Sequence, residues 1–279
     1  MTYKKIPLFC EAYPAKDDVY LEVYAPDRLA QYTRPAILVC PGGGYGCVCS
    51  DREGEPIALA FIAQGYAAFV LHYSVNRSRT YPAQLCEASL AMAHIRQNAE
   101  EYGIDPEKVY VTGFSAGGHL AGSLGIFWHR DEVYEKTGLE YGINKPNGMM
   151  LCYPVVSSES YGHLGSFYNL LGNDAPTQEE LDYVSLEKHI DEKSAPLYIA
   201  HTSNDAVVPV MNALCLAEAY SKAGRMFELH IWPDCPHGFA LGNRITWNGI
   251  EKYDNAAIAK WVENAVFWAS QLDADGAKM

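Results

Sequence analysis

The stretch that most constrains how this chain can fold runs from Val109 to Ala121, Val-Tyr-Val-Thr-Gly-Phe-Ser-Ala-Gly-Gly-His-Leu-Ala. β-Branched and aromatic residues from Val109 to Thr112 predict a strand, and Leu120, Ala121 and Leu124 at helical spacing predict a helix behind it. Between the two sits Gly113-Phe-Ser115-Ala-Gly117, a G-x-S-x-G pattern. A strand that turns into a helix at one residue needs glycines two positions before and after it, because flanking β-carbons do not fit so tight a turn. The serine then stands at the carboxyl end of its strand, beside the free N–H groups and positive dipole end of the helix. That setting suits an oxygen gaining negative charge. The bare pattern also occurs in incidental loops; the strand before it and the small-residue helix after it set this one apart.

A second glycine-rich turn lies upstream. Ala36-Ile-Leu-Val-Cys40 is a continuous apolar run, the mark of a strand buried on both faces, and it feeds directly into Pro41-Gly-Gly-Gly-Tyr-Gly46. Adjacent glycines let the backbone approach a ligand and turn its N–H groups inward. A phosphate cradle would need a G-K-S/T ending or a G-x-G-x-x-G spacing, and neither is present. An oxyanion loop of the HGGG type fits, with Pro41 where the histidine would stand. Its candidate donors are the amides of Gly43 and Gly44, joined by that of Ala116 from the helix after Ser115. The following Asp51-Arg-Glu-Gly-Glu-Pro56 has two open readings: its charges fix the glycine loop by ion pairing, or they form a solvated helix start.

Further strands are expected over Val19–Tyr24, Ala67–Tyr73, Gly148–Val155, Ala195–Thr202 and Phe227–Trp232. Helices are expected over Ile57–Gln64, Pro82–Glu101, Ala116 to about Trp128, Val210–Ala223 and Asp254–Leu272, with Asp273–Met279 fraying. Residues 157–193 break the alternation with Tyr161, Phe167, Tyr168 and a short acidic helix near Gln178–Tyr183. They form a small insertion after the sixth strand, either a substrate-facing lid or a crossover connection. Strands alternating with helices predict an α/β chain, one domain over 1–279, with a mostly parallel central sheet and helices on both faces.

Composition excludes several classes of function. The net charge is −13 and no basic stripe occurs, which argues against a nucleic-acid or anionic-membrane partner. The amino terminus lacks the apolar run of a signal peptide, and no segment has the length of a membrane span. The 8 cysteines are scattered without a C-x-x-C pair, and Cys40, Cys47, Cys49, Cys86 and Cys152 mostly have the apolar or glycine-rich neighbours of buried thiols. A reduced, cytoplasmic protein is the expectation, with a homo-oligomer left open.

A serine at its ordinary pKa needs an adjacent base to become a nucleophile. Nine histidines compete. His72, His201 and His230 lie inside strand patterns, His94 and His129 belong to or flank helices, and His163 and His189 fall in the insertion, where a surface role is expected. His119 lies in the first turns of the helix after Ser115 and is expected to pack beneath the site. His237 instead follows the last strand through Pro233-Asp-Cys-Pro236, on a loop able to carry an imidazole over the serine. The acid belongs on the loop after the preceding strand, where Ser203-Asn-Asp205-Ala-Val-Val-Pro209 supplies Asp205. Its role would be to hold the Nδ1 proton of His237 and stabilise the imidazolium. Asp234 is the runner-up, but it stands too close to His237 along the chain. Tyr45 and Tyr168, and with them Tyr73, Tyr81 and Tyr153, are candidates to stack on a sugar or aryl ring, or are simply aromatic core and rim.

Taken together, Pro41-Gly-Gly-Gly-Tyr45, Asp51–Pro56, Gly113–Ala121, His201–Pro209 and His237-Gly-Phe resemble the bacterial acetyl esterase and acetyl-xylan-esterase-like branch of the α/β-hydrolases, related to the hormone-sensitive-lipase group. The resemblance spans nearly the whole chain, in order. It implies hydrolysis of small acyl esters, often acetyl groups on sugars or xylo-oligosaccharides, through an acyl-enzyme and with neither metal nor organic cofactor. It places the catalytic positions on Ser115, Asp205 and His237 and the oxyanion donors on Gly43, Gly44 and Ala116. Three departures stand out: Pro41 for the histidine, Cys235-Pro236 before His237, and Cys47 with Cys49 beside the glycine loop. An amide or arylformamide hydrolase, or a peptidase, would use the same triad, and a ligand-binding protein on this scaffold would have lost a triad residue.

A base must be neutral to take a proton. Turnover is therefore expected to fall on the acid side of roughly pH 6.5, where an ordinary imidazole becomes charged. A rate that stays flat down to about pH 4 would rule out a histidine base.

Overall fold

Ile37 and Val39 point to one side of their strand and Leu38 to the other, and all three are fully buried. That alternation is repeated by Ala68 and Val70 against Phe69 and Leu71, so two apolar cores lie on opposite faces of one sheet. The computed structural model describes residues 1–276. The strands are β1 (Thr2–Pro7), β2 (Tyr20–Ala25), β3 (Arg34–Cys40), β4 (Ala67–His72), β5 (Ile104–Phe114), β6 (Met149–Cys152), β7 (Leu197–Thr202) and β8 (Phe227–Trp232). Their order across the sheet is β1-β2-β4-β3-β5-β6-β7-β8. β1 and β2 pair antiparallel, β2 pairs antiparallel with β4, and every later pairing is parallel. This is the expected α/β-hydrolase architecture.

The helices are α1 (Ser50–Glu53), α2 (Glu55–Ala63), α3 (Ala83–Gln97), α4 (Ala99–Tyr102), α5 (Ala116–Phe127), α6 (Asp131–Thr137), α7 (Leu164–Leu171), α8 (Gln178–Val184), α9 (Met211–Lys222) and α10 (Trp261–Gly276). Helices α3, α5 and α9 supply one core, and α2 with α10 supplies the other. Among the described residues no helix is long and apolar enough to cross a membrane.

The structure departs from expectation in several places. β1 has no counterpart in the strand pattern; its burial alternates weakly, and only Ile6 packs on the core. The helix expected over Pro82–Glu101 breaks at Asn98, whose side-chain amide donates to the His94 carbonyl at 2.7 Å and ends α3. The last helix starts at Trp261 rather than Asp254 and continues to Gly276, past the expected fraying point. The remaining tail, 277–279, lies outside the described residues. Residues 157–193 hold α7 and α8 and lead from β6 to β7, and α7 rests on the glycine loop, where the Asn169 amide donates to the Gly44 carbonyl at 2.9 Å.

The turn from β5 into α5 fits only because its glycines lack side chains. A β-carbon on Gly113 would sit 2.1 Å from the Gly117 carbonyl oxygen, and one on Gly117 would sit 2.1 Å and 2.2 Å from those of Cys40 and Pro41. Gly117→Ala is thus expected to destabilise the chain by about 3 kcal/mol, read as a lower urea midpoint. An unchanged midpoint would mean that α5 does not press on the end of β3.

Candidate active site

Ser115 occupies the left-handed region, with φ +53° and ψ −119°, between the last residue of β5 and the first of α5. Its amide donates to the Cys152 carbonyl at 3.1 Å, and its carbonyl accepts from Val155 at 3.0 Å and from His119 at 3.1 Å. The main chain is thus pinned on both sides while Oγ remains available. That Oγ lies 2.9 Å from Nε2 of His237, and Nδ1 of His237 lies 2.7 Å from Oδ2 of Asp205. A carboxylate can only accept, so Nδ1 carries the ring proton, and Nε2 accepts from the serine hydroxyl.

The Asp205 side chain is fully buried. Burial acts to raise its pKa, but the His237 ring and the amides of Val207 and Val208, each 2.9 Å from Oδ1, outweigh it, and the carboxyl lies below its usual range. The loops carrying the two residues are tied together. The Cys235 amide donates to Asn204 Oδ1 at 3.0 Å, and the Thr202 hydroxyl donates to the Cys235 carbonyl at 2.7 Å. Asp234, the other candidate acid, is exposed and pairs with Lys252 at 2.9 Å. It takes no part.

The glycine loop presses directly on the serine: a β-carbon at Gly42 would fall 3.0 Å from that of Ser115. The Pro41–Gly42 peptide is held at both ends, and each of the next two is held at its carbonyl. In a trans peptide C=O and N–H point opposite ways, so fixing one aims the other. The Pro41 carbonyl accepts from the Tyr73 hydroxyl at 2.6 Å, and the Gly42 amide donates to Oε2 of Glu53 at 2.8 Å. The Gly42 carbonyl accepts from the Cys49 amide at 3.0 Å, leaving the Gly43 N–H pointing away from that contact. The Gly43 carbonyl accepts from the amides of Gly46 at 2.9 Å and Cys47 at 3.1 Å, and this does the same for the Gly44 N–H. Among the described residues, the amides of Gly43, Gly44 and Ala116 have no protein acceptor.

Glu53 answers the question left open for Asp51–Pro56. It is buried, and besides Gly42 it accepts from the Tyr153 hydroxyl at 2.8 Å. It fixes the loop by hydrogen bonds to neutral donors, with Arg52 only at 4.0 Å. Burial pushes its pKa up, and these partners offset part of the rise. Tyr153 also packs its ring edge against His237, with centroids 4.9 Å apart, and so joins the glycine loop to the histidine loop.

The tyrosines expected at a substrate surface are therefore mostly structural. Tyr45 is buried and bonds Nδ1 of His119 at 2.8 Å, and Tyr73 and Tyr153 are buried as well. Tyr81 bonds Glu132 and Arg130. Tyr168 is half-buried, while the residues of α7 that reach the glycine loop are Ser166 and Asn169. His119 does pack beneath the site, its Nε2 donating to the Val184 carbonyl at 2.8 Å. His163, expected on the surface, is half-buried at the start of α7, with Nδ1 2.9 Å from Ser166 Oγ; burial and the neighbouring His237 lower its pKa. His189, also expected there, is half-buried too, and its Nε2 donates to the Asp182 carbonyl. Cys47, expected to be buried, is exposed. No cluster of side chains suited to a metal ion occurs among the described residues.

The sequence model of the BD-FAE family matches residues 21–220, most of the chain and all of the glycine loop and Ser115 turn. The chain belongs to the BD-FAE family. The model of the dienelactone hydrolase family matches residues 177–272, the part that carries Asp205 and His237. Among curated relatives, an endo-1,4-β-xylanase B of Butyrivibrio fibrisolvens is 39% identical over 77% of this chain, and an acetylxylan esterase of Xylanibacter ruminicola is 31% identical over 76%. The chain spans only 34% and 42% of the lengths of these two proteins. A solved structure, an acetyl ester-xyloside bifunctional hydrolase from Caldicellulosiruptor lactoaceticus, superposes with a TM-score of 0.79 at 32% identity, covering 97% of this chain and 96% of that one.

Two imidazoles of this BD-FAE chain carry a pH signature. Burial holds His119 and His201 at a pKa of about 4. Both stay neutral in the folded chain while the unfolded chain protonates them below about pH 6.5. Their contribution is complete above that pH and is lost as pH falls towards 4, by up to about 1.4 kcal/mol per pH unit for each. The carboxyls of the buried Glu53 and Glu87 and of the half-buried Glu187 have raised pKa values and act in the opposite sense. The difference between wild type and His119→Gln isolates the imidazole. Tm of the wild type should drop more steeply between pH 6.5 and 4.5 than that of the variant, and parallel profiles would contradict a neutral buried His119.

Proposed function

We propose that this chain is a serine carboxylesterase that removes small acyl groups, acetyl above all, from sugars or xylo-oligosaccharides. The observation that carries the reading is the unbroken line Asp205–His237–Ser115, with distances of 2.7 Å and 2.9 Å, beside a loop whose Gly43 and Gly44 amides have no protein acceptor. Ser115 attacks the ester carbonyl while His237 takes its proton at Nε2, and Asp205 stabilises the imidazolium. The oxygen of the tetrahedral intermediate is held by the N–H groups of Gly43, Gly44 and Ala116, donors that need no reorganisation when charge develops. His237 returns the proton to the leaving alcohol, and water, activated by the same imidazole, releases the acid from Ser115.

The carbohydrate part of the reading rests on two supports. The relatives named above are a xylanase, an acetylxylan esterase and an acetyl ester-xyloside hydrolase. Independently, an open cleft of about 640 Å³ lies beside the glycine loop, lined by Asp17, Asp18, Tyr20, Val48, Val75 and Asn76 among others. Carboxylates, an amide and apolar side chains in one cleft suit a ligand that offers both hydroxyls and C–H groups. The cleft lies beyond the carboxyl ends of β3 and β4, the edge of the sheet that also bears Ser115, where ligands of open α/β sheets bind.

The test is acetate release from acetylated xylo-oligosaccharides, with Ser115→Ala in parallel. Release is expected, and the variant should lose about four to six orders of magnitude in kcat. Cleavage of nitrophenyl acetate alone would keep the esterase and discard the sugar. Turnover of neither substrate would overturn the reading.

A further inference from the structure

Cys47 and Cys49 have no part in the chemistry above, yet they stand where that chemistry is set up. Cys47 is exposed and Cys49 half-exposed, and their sulfurs are 3.9 Å apart. Their backbone amides donate to the carbonyls of Gly43 and Gly42, and so they help orient the two peptides whose N–H groups, those of Gly43 and Gly44, have no protein acceptor. There is little slack between these parts. A β-carbon at Gly43 would lie 2.2 Å from the Cys47 carbonyl oxygen and 2.9 Å from its sulfur.

We propose that Cys47 and Cys49 form a redox-modified dithiol whose closure to a disulfide disables the oxyanion loop and whose reduction restores it. The functional half of this inference rests on the esterase reading; the bond itself does not. The oxidant is a peroxide. The Cys47 sulfur attacks one peroxide oxygen, the O–O bond breaks, and a sulfenic acid forms with release of water. The Cys49 sulfur then attacks the Cys47 sulfur, giving up its proton as the S–OH bond breaks, and a second water leaves. Two thiols and one hydrogen peroxide become one disulfide and two waters, with two electrons passing from sulfur to peroxide.

The assignment of roles follows from surroundings. Cys47 is the solvent-facing sulfur and meets the oxidant first. Cys49 is half-buried beside Glu53, and burial followed by that carboxylate pushes its pKa up to about 12, so it is the slower, resolving thiol. The Arg52 guanidinium, 3.7 Å from its sulfur, favours the anion that forms as it reacts.

Closure moves the loop because the sulfurs must approach from 3.9 Å to about 2.05 Å within a three-residue segment. The two cysteine amides turn with their side chains, so the Gly42 carbonyl loses its donor and the Gly43 carbonyl keeps only that of Gly46. The Gly43 N–H group then no longer points at a fixed position, and the Gly44 peptide is held by one contact in place of two. Losing one preorganised donor of this kind typically lowers kcat about 10²–10³-fold.

The experiment exposes the full chain to hydrogen peroxide, then measures intact mass, free thiols, the fragment spanning Cys47 and Cys49, and nitrophenyl acetate turnover. A mass lower by about 2 Da on that fragment, two fewer thiols and a fall in kcat of at least about 10-fold, all reversed by dithiothreitol, are expected. Cys47→Ser and Cys49→Ser keep the backbone amides, and in each the ratio of treated to untreated activity should stay near one. Absence of the linked fragment overturns the proposal. So does a linked fragment with unchanged turnover, or inactivation that persists in both variants. An untreated protein without turnover refutes the esterase reading instead. In that case amide hydrogen exchange across Gly42–Gly46 takes over as the readout, and no faster exchange on linking overturns the loop's dependence on the dithiol.

Discussion

Everything at this site depends on a backbone that only glycine neighbours allow. Ser115 sits at φ +53°, a conformation that costs a non-glycine residue of order 1–3 kcal/mol, and it is held there by what surrounds it. Gly113 and Gly117 meet across the turn, and Gly117 in turn lies on the carbonyls at the end of β3. The same contact therefore does two things. It projects the serine hydroxyl off the edge of the sheet, and it sets the amino end of α5 against the start of the glycine loop. Packing energy from the two buried faces of the sheet keeps the strained turn in place.

The loop after β3 is built on a different principle. Apart from the turn in which the Gly46 and Cys47 amides donate to the Gly43 carbonyl, its peptides borrow partners from elsewhere: Tyr73, Glu53, Cys49 and, from α7, Asn169. A carboxyl buried as completely as Glu53 is costly unless its oxygens are satisfied, and here one accepts from the Gly42 amide and the other from Tyr153. Tyr153 then accepts from the Ala240 amide at 3.1 Å and lies edge-on to His237. Loops after β3, β6 and β8 thus share one buried polar network, and a shift in any of them would be felt by the others.

How much of this was legible in the sequence divides along a physical line. The meeting of Ser115, Asp205 and His237 was legible because each follows a predicted strand, and because loops at the carboxyl ends of parallel strands are brought together by the fold. The fully buried strands were equally plain. The tyrosines stay open in the sequence because a Tyr at a strand end looks the same whether its hydroxyl faces substrate or a backbone carbonyl, as that of Tyr73 faces Pro41. Glu53 was ambiguous because charge in a sequence says nothing of burial. β1 escaped notice because an edge strand with one weakly buried side chain leaves no periodic trace.

Proximity along the chain proved a poor guide compared with tethering between loops. Asp234 is three residues from His237, yet its carboxylate is drawn outward by Lys252 and by the Asn204 amide at 2.6 Å. The other end of that Asn204 side chain accepts from Cys235, which places the histidine loop against the loop of Asp205. One asparagine side chain thus spans both loops, holding Asp234 at the surface while the buried Asp205 faces the imidazole. Asp205 satisfies the imidazole because its second oxygen is already occupied by the Val207 and Val208 amides, leaving Oδ2 free for Nδ1. The choice between the two acids is therefore made by the hydrogen-bonding capacity of their surroundings, since only a carboxylate whose remaining lone pairs are satisfied can remain ionised out of water beside a neutral ring.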